Sequence, residues 1–562
     1  MSTTTETCNY VLNPDDPSTW NKEDGDSCYV NEELLNGDGV WNCPHETRSG
    51  EGLCIFHSPV EEKDDTDVKE RLIQTLVESD KHRLEFIGSK FGTLNITDTQ
   101  INSSVADILF THSSFESVSI IDTEISSRVD FSGSDFRDES YFNGTVFHKN
   151  TRFDGIKTEK IHFAEVRFES EVSFNDSTLG LVYFSTAYFA RGARFHSVTF
   201  SNGLSLERST FDGVCSFYKT KVVRTADFSN AEFRDELSFW RVNFDGKIDF
   251  GNSEFFGEVF FREVDLDKVE RITFARATFH KTPNFTSMNL TGADFRLANI
   301  TDADFTNATL SRSNFESALL SRATLFDADL RGAALNGAVL GDVRINKQTQ
   351  FLGHPEDENN NSPHTLAAIR ANPCCVYDPN YRGVDTDTNV DKAKSVYRAL
   401  EELASKAART RLQSRCFVRR QDLQKKSYKQ DIVNVESWEE RLIAGARYTR
   451  AKVARTTLLY GESPWRIIAG SISTIFLIGL LYPVGEWLRP VSDDPITYSR
   501  ILNGEWNLLL ESFYFSTLTF TTLGMGDYEP LGIGQVLATL NTSFGAVLIA
   551  LLVFVLGRRA AR

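Results

Sequence analysis

The sequence predicts a long four-sided coil of short β-strands, then a helical linker, then a C-terminal membrane domain of two helical spans. Three observations predict it: large apolar residues recur at every fifth position in the middle of the chain, two C-terminal stretches hold no charged residue, and net charge reverses along the chain. Residues 1–390 carry 37 Lys and Arg against 62 Asp and Glu, a net of −25, whereas residues 391–562 carry 23 against 16, a net of +7. That asymmetry excludes one uniform globule, and 562 residues leave room for about three or four domains. A strongly acidic surface repels phosphate, so no nucleic-acid partner is expected for the N-terminal part. Residues 1–26 are polar and acidic and lack an apolar h-region, so the bulk of the chain is expected in the cytoplasm.

Eight cysteines are too few for a disulfide scaffold, and four of them, Cys8, Cys28, Cys43 and Cys54, fall at the start of the chain. Zinc takes four Cys or His ligands, and Cys54-Ile-Phe-His57 lets one turn supply two of them. Cys8, Cys43, Cys54 and His57 make a candidate Cys₃His set, with Cys28 and His45 as substitutes. Buried free thiols beside Trp41 and Phe56 are the alternative reading. A segment of about 60 residues with little apolar periodicity needs a staple to fold alone, so residues 1–62 form the Cys/His-rich segment. Residues 63–83 follow as a helix that caps the open first coil.

Phe295, Ile300, Phe305, Leu310, Phe315, Leu320, Leu325, Leu330, Leu335, Leu340 and Ile345 continue a five-residue series from Leu290, and small residues such as Ala293, Ala298, Ala303 and Ser313 stand two positions before them. Five fits neither the helical period of 3.6 nor the strand period of 2. It fits a square coil with five residues to a side, the large and the small residue pointing inward. Upstream, from Phe195 to Ile272 through Leu206, Phe217 and Leu266, steps of five and six alternate, which reads as one extra residue bulged on alternate sides. Weaker runs at Phe86, Phe91, Ile96, Ile101 and at Phe110, Phe115, Ile120, Ile125 extend the coil back to about residue 84. Residues 84–347 then hold about twelve coils, roughly 60 Å in length at the spacing of neighbouring strands. The stretch Ala293-Asp-Phe-Arg-Leu297 resembles the pentapeptide-repeat family, and the resemblance implies a right-handed quadrilateral β-helix. Some members of that family mimic DNA and bind gyrase, so the resemblance also offers an alternative function: a membrane-tethered, acidic, topoisomerase-binding protein.

Residues 348–390 read as an acidic and polar loop, with Glu356-Asp357-Glu358 followed by Pro363, Pro373 and Pro379. Cys374 and Cys375 within it receive no role. Residues 391–466 resume helical spacing, with Val396, Leu400, Leu403 and Ala407 on one face and 18 basic against 9 acidic residues overall. Such a linker suits anionic lipid headgroups, or it is a solvated helical hairpin whose charge only enforces topology.

Residues 467–485 and 530–557 hold no charge, and each is long enough to cross about 30 Å of hydrocarbon. Arg447, Arg450, Lys452, Arg455 and Arg466 precede the first span and Arg558, Arg559 and Arg562 follow the second, so the positive-inside rule puts both termini in the cytoplasm of a two-span protein of the cell membrane. Between the spans a short apolar stretch, 506–520, ends in Thr521-Thr522-Leu523-Gly524-Met525-Gly526-Asp527. This resembles the potassium-channel selectivity filter, usually written Thr-Val-Gly-Tyr-Gly-Asp, and the order span, re-entrant pore helix, filter, span resembles that family's pore domain. The resemblance implies K⁺ as the permeant ion, a homotetramer in which each chain brings one filter strand, and a gating hinge at Gly545. The physics agrees with it: consecutive carbonyls must replace an ion's hydration shell, and Gly524 and Gly526 permit the backbone angles this needs. Asp527 and Glu529 would concentrate cations at the outer mouth. Met525 and Leu523 depart from the family pattern. Met525 removes the hydroxyl that would tie the filter to the pore helix, which opens the question of sodium passage. No nucleophile–base constellation or phosphate loop points to an enzyme. The β-helix would sense a cytoplasmic ligand, scaffold the assembly, or gate the pore.

Overall fold

The computed structural model describes residues 7–20, 22, 26–47, 52–78, 81–101, 107–356, 374–381, 388–435, 437–523 and 526–560. They fall into two compact units, residues 1–376 with 381–384, and residues 377–380 with 385–562.

The first unit is a β-solenoid. Two nine-stranded parallel sheets and one ten-stranded parallel sheet wrap a single core, giving about nine strand-built turns. Equivalent positions lie one above another: Phe147 pairs with Phe168, Phe168 with Phe189, Phe189 with Phe211 and Phe211 with Phe233. Beyond Phe279 the strands shrink to single bridges at 20-residue steps, four to a turn, as at Asn284–Asp304, Asn289–Thr309, Asp294–Asn314 and Asn299–Leu319. Those four bridges are the four sides of five residues.

Tight corners separate the sides. Ala298 N–H donates to the Phe295 carbonyl at 3.1 Å, which closes a turn whose third residue, Leu297, sits at φ 60°. Asp302, Asn307, Arg312, Ser317, Arg322 and Asp327 take the same left-handed conformation at the following corners. Each non-glycine residue there costs about 1–2 kcal/mol, and the ladder bonds on both sides hold it in place. Where steps of six occur, one corner is opened instead. The strands Thr199–Ser205, Lys221–Asp227 and Asn243–Asp249 run through the corner as a bulge, with Gly203 at φ 125° and Gly246 at φ 122°. A Cβ on Gly246 would run into the Arg224 carbonyl of the turn beneath, so the bulges stack as closely as the sides do. This open corner fuses two sides into the ten-stranded sheet, since Lys157–His162 pairs with both Asp135–Phe136 and Ser140–Tyr141.

The core is columns of rings. Phe295 and Phe315 stack at 4.9 Å between centroids and Phe285 and Phe305 at 5.0 Å, while Phe295 meets Phe305 of the next column edge-on at 88°. Leu266 departs from the series: it is only half-buried, because the strand Asp265–Thr273 pairs with Asn243–Asp249 through two register shifts and swings that residue outward. At the N-terminal end, helix α1 (Asp65–Glu78) buries Val68, Leu72 and Leu76, and the Asp65 carboxylate accepts the Thr93 N–H at 2.9 Å.

The second unit is helical. Three helices, α2 (Val390–Lys406), α3 (Thr410–Asn434) and α4 (Trp438–Val453), occupy the linker, where a hairpin would have two. The chain breaks at Ala408, at φ 53°, and again after Asn434. Val396, Leu400 and Leu403 are buried, and Asn389 caps α2 by accepting the Asp391 and Lys392 N–H groups. Part of the basic run is engaged within the unit. Arg419 makes a bidentate pair with fully buried Asp378 at 2.7 Å, Arg420 pairs with Glu401 at 2.8 Å and Arg455 with Asp422 at 2.7 Å. After α4 come a π-turn (Ala454–Leu458) and two left-handed residues, Leu459 and Tyr460. The remaining helices are α5 (Pro464–Leu481), α6 (Tyr498–Leu502), α7 (Asn507–Phe520) and α8 (Ile533–Ala560).

Candidate functional site

Among the described residues, two apolar helical segments are long enough to cross a membrane, Pro464–Gly485 with 22 residues and Ile533–Gly557 with 25. Helix α7 is wedged between them. Its Ser516 hydroxyl donates to the Ile475 carbonyl of α5 at 2.8 Å, and from α8 Asn541 Nδ2 donates to the Ser516 carbonyl at 2.8 Å and to Thr519 Oγ1 at 2.7 Å. Thr542 of α8 adds a bond to the Thr519 carbonyl at 3.0 Å. The Ser516 and Thr519 carbonyls lie in the last turn of α7, where a helix begins to run out of internal partners, and α8 adds side-chain donors to them. Small residues allow the approach: a Cβ on Gly545 would run into the Phe520 carbonyl, and one on Gly479 into the Phe513 ring. Gly545, the expected hinge position, thus lies inside an uninterrupted helix where α8 packs closely on α7.

The signature follows α7 directly. Thr521 returns its hydroxyl to the Thr517 carbonyl at 2.8 Å, and Leu523 N–H donates to the Leu518 carbonyl at 3.0 Å. Thr522 stands at φ 61°, a conformation that β-branched residues rarely take and that gathers at functional sites. Gly526 is exposed, with open space where a Cβ would stand, and Asp527 is exposed, while Gly524 and Met525 lie outside the described residues. Leu523 is 76% exposed. The chain between α5 and α8 is braced by an antiparallel pair, Leu488–Pro490 with Tyr528–Pro530, within which Arg489 forms an ion pair with Glu529. Val491 N–H donates to the Asp527 carbonyl at 3.2 Å, joining that pair to the end of the signature. Below it Tyr482, Leu488, Ile496, Ile501, Leu508, Phe515 and Ala538 form one apolar cluster.

The polar contacts of Asn541, Ser516 and Thr519 were not singled out by the sequence reading. An asparagine within an uncharged span was the available signal, because a polar side chain there has to find a partner.

In the first unit the strands Val11–Leu12 and Trp41–Asn42 pair antiparallel, which brings Cys8 near Cys43, and a turn closed by His57 N–H on the Cys54 carbonyl at 3.1 Å presents the other two candidates. All four are buried and their ligand atoms lie within 4.8 Å of one another. Cys28 and His45, the substitutes, stand outside this group; His45 Nε2 instead bonds the Glu85 carbonyl at 2.8 Å. Inside the cluster the hydrogen bond between Cys43 and Cys54 pushes the Cys43 thiol up and the Cys54 thiol down. Burial pulls the His57 imidazole down, but its bonds to Cys54 and Cys8 outweigh burial and raise it to about 9.

Residues 493–562 match the ion channel family, residues 284–316 and 303–342 match pentapeptide repeats of eight copies, and residues 195–242 match pentapeptide repeats of nine copies. No curated protein sequence matches the chain. Among solved structures, HetL, a pentapeptide repeat protein involved in heterocyst differentiation regulation from the cyanobacterium Nostoc sp. strain PCC 7120, is 14% identical, with 51% of this chain and 94% of that one covered and a TM-score of 0.14. QnrB1, a plasmid-mediated fluoroquinolone resistance protein, is 13% identical over 46% of this chain and 94% of its own, with a TM-score of 0.12. Rfr23, a pentapeptide repeat protein from the cyanobacterium Cyanothece 51142, is 17% identical over 21% of this chain and 62% of its own, with a TM-score of 0.09.

Proposed function

Starting from a chain that joins a pentapeptide-repeat β-solenoid to a C-terminal ion channel domain, we propose that it is a potassium-type cation channel that works as a homotetramer. The supporting observation is the placement of α7: a short helix pinned between two membrane-length helices and followed at once by Thr521-Thr522-Leu523 in a non-helical backbone. Irregular backbone at membrane depth is tolerated only where protein or water surrounds it, and a pore supplies both. One chain brings one filter strand, and the faces a neighbour would cover are bare: Leu510 and Tyr514 on α7 are 66% and 50% exposed, and Phe544 on α8 is 59% exposed. Four copies around an axis bury those faces and close a ring of carbonyls around K⁺. Both termini then lie in the cytoplasm, where the β-solenoid regulates or scaffolds the pore, and the basic residues beside the first span meet anionic headgroups.

Reversal potentials of the purified full-length protein in a planar bilayer, with K⁺ on one side and Na⁺ on the other, test this. A reversal potential near the K⁺ equilibrium value is expected. A reversal near zero with large currents makes the channel non-selective, in line with Met525, and an absence of single-channel currents from pure tetramer rejects the pore.

A further inference from the structure

We propose that Cys8, Cys43, Cys54 and His57 hold a structural zinc ion that fastens the N-terminal segment onto the first turn of the β-solenoid. Two of the ligand–ligand spacings match edges of a coordination tetrahedron, and all four atoms lie within 4.8 Å of one another. With Zn–S at about 2.3 Å, two thiolates on one zinc lie about 3.8 Å apart. Cys43 Sγ and Cys54 Sγ are 3.8 Å apart, and Cys8 Sγ is 3.7 Å from His57 Nδ1. Cys54 Sγ stands 3.1 Å from His57 Nδ1, an edge that metal would lengthen slightly.

The surroundings fix the ligands as a metal site requires. His57 Nε2 is 2.8 Å from the Ile87 carbonyl, which can only accept, so Nε2 carries the proton and Nδ1 turns its lone pair toward the sulfurs. Tyr10 stacks on the imidazole at 4.0 Å and 13°, which holds the ring plane. Cys54 N–H donates to Cys8 Sγ at 3.2 Å, the kind of bond that offsets charge on a thiolate ligand. Three sulfurs and one nitrogen complete a tetrahedron and leave no position for substrate or water, so the site is structural.

What the ion would secure is equally local. The four ligands come from three separate stretches of a segment whose strands, among the described residues, are two residues long. That segment docks on the first turn through Trp41 Nε1 to Glu85 Oε2 at 2.6 Å and His45 to the Glu85 carbonyl, and the His57–Ile87 bond makes a zinc ligand part of the same seam.

Elemental analysis of the full-length protein, purified in detergent without chelator, should give about one zinc per chain. After exchange, cobalt should show the absorption of a tetrahedral thiolate complex. Cys54→Ser should lose most of the metal, His57→Cys should keep it with a shifted cobalt spectrum, and Cys215→Ser, a buried thiol in the β-solenoid core, should change neither. If Cys54→Ser fails to fold, the wild-type stoichiometry and the His57→Cys spectrum still decide. Less than about a tenth of a zinc per chain after growth in zinc-supplemented medium overturns the site, as does full zinc content in a Cys43→Ser, Cys54→Ser double variant.

Discussion

The β-solenoid and the channel domain solve the burial of apolar surface in opposite ways. In the β-solenoid the inward rings are covered by large side chains of the neighbouring turns of the same chain, so Phe285, Phe295, Phe305 and Phe315 are all fully buried. In the channel domain Leu510, Tyr514, Val536, Leu540, Phe544 and Val547 stay exposed within one chain, and only copies of the chain or lipid can cover them. Self-contained stacking makes the first region stable turn by turn, as nearest-neighbour arrays are. In the tetramer proposed above, the second becomes complete only on assembly. Damage to the first should therefore stay local, and damage to the second should be felt by the whole oligomer.

The hardest test of locality is Phe305→Ala. Its ring stacks on Phe285 and meets Phe295 and Phe315 edge-on, so its removal should cost about 3–5 kcal/mol. Hydrogen exchange should accelerate in the adjoining turns only, with the amides around Phe147 and Phe168 unchanged. Uniform acceleration along the β-solenoid would show one cooperative unit and break the contrast.

A smaller effect with a wider reach is expected of Asn541→Leu. The substitution leaves the Ser516 carbonyl and Thr519 hydroxyl without their α8 donor, which costs about 1–3 kcal/mol per chain. Because these groups sit at the end of α7, just before the signature, the tetramer should dissociate at a lower temperature and conduct less, while exchange in the β-solenoid stays as in the wild type. Unaltered currents and thermal dissociation would show that the bonds do not support the filter.

Legibility in the sequence follows the same divide. The five-residue series was readable because columns of rings admit only large residues at each level, and Phe295, Ile300 and Phe305 announce that without help. The corners were not, because Leu297 and Arg312 occupy left-handed positions where a reader looks for glycine. Leu266 kept its place in the series yet left the core, since two register shifts at one strand cannot be seen in spacing. The membrane helices were legible from missing charge, whereas the Asn541 network was not, because an apolar window reports hydrophobicity and says nothing of which polar atoms meet. For the thiol cluster, the sequence offered six candidate ligands, and the narrowing to four rests on the two-residue pairing of Val11–Leu12 with Trp41–Asn42, too short to carry a pattern. In the linker the +9 charge suggested headgroups or solvent, but Arg419 is nearly buried against Asp378, a residue that lies in the loop before the helices.

That last contact decides how the smallest expected effect should be measured. If the channel domain needs only copies of itself and lipid, removing the β-solenoid should leave assembly and conduction nearly intact. The cut has to fall before Tyr377, because residues 377–380 belong to the helical unit. Asp378 accepts three bonds from the Arg419 guanidinium and a fourth, at 2.8 Å, from the Tyr397 hydroxyl, and a buried charge stripped of its partner is strongly destabilising. Deletion of residues 1–376 should thus give a tetramer of wild-type unitary conductance that has lost any response to cytoplasmic ligands. Deletion of residues 1–380 should assemble poorly, for a reason that has nothing to do with the β-solenoid. Further inward, Asp422 receives Arg455 at 2.7 Å and Tyr460 at 3.0 Å, and Ser414 donates to Glu462 at 2.6 Å, so α3 is bonded to the segment that enters the first span. Those bonds are retained in the shorter deletion as in the full chain. Failure of the 1–376 deletion to form tetramers would make the β-solenoid an assembly scaffold, and the two regions would no longer be independent in the sense argued above.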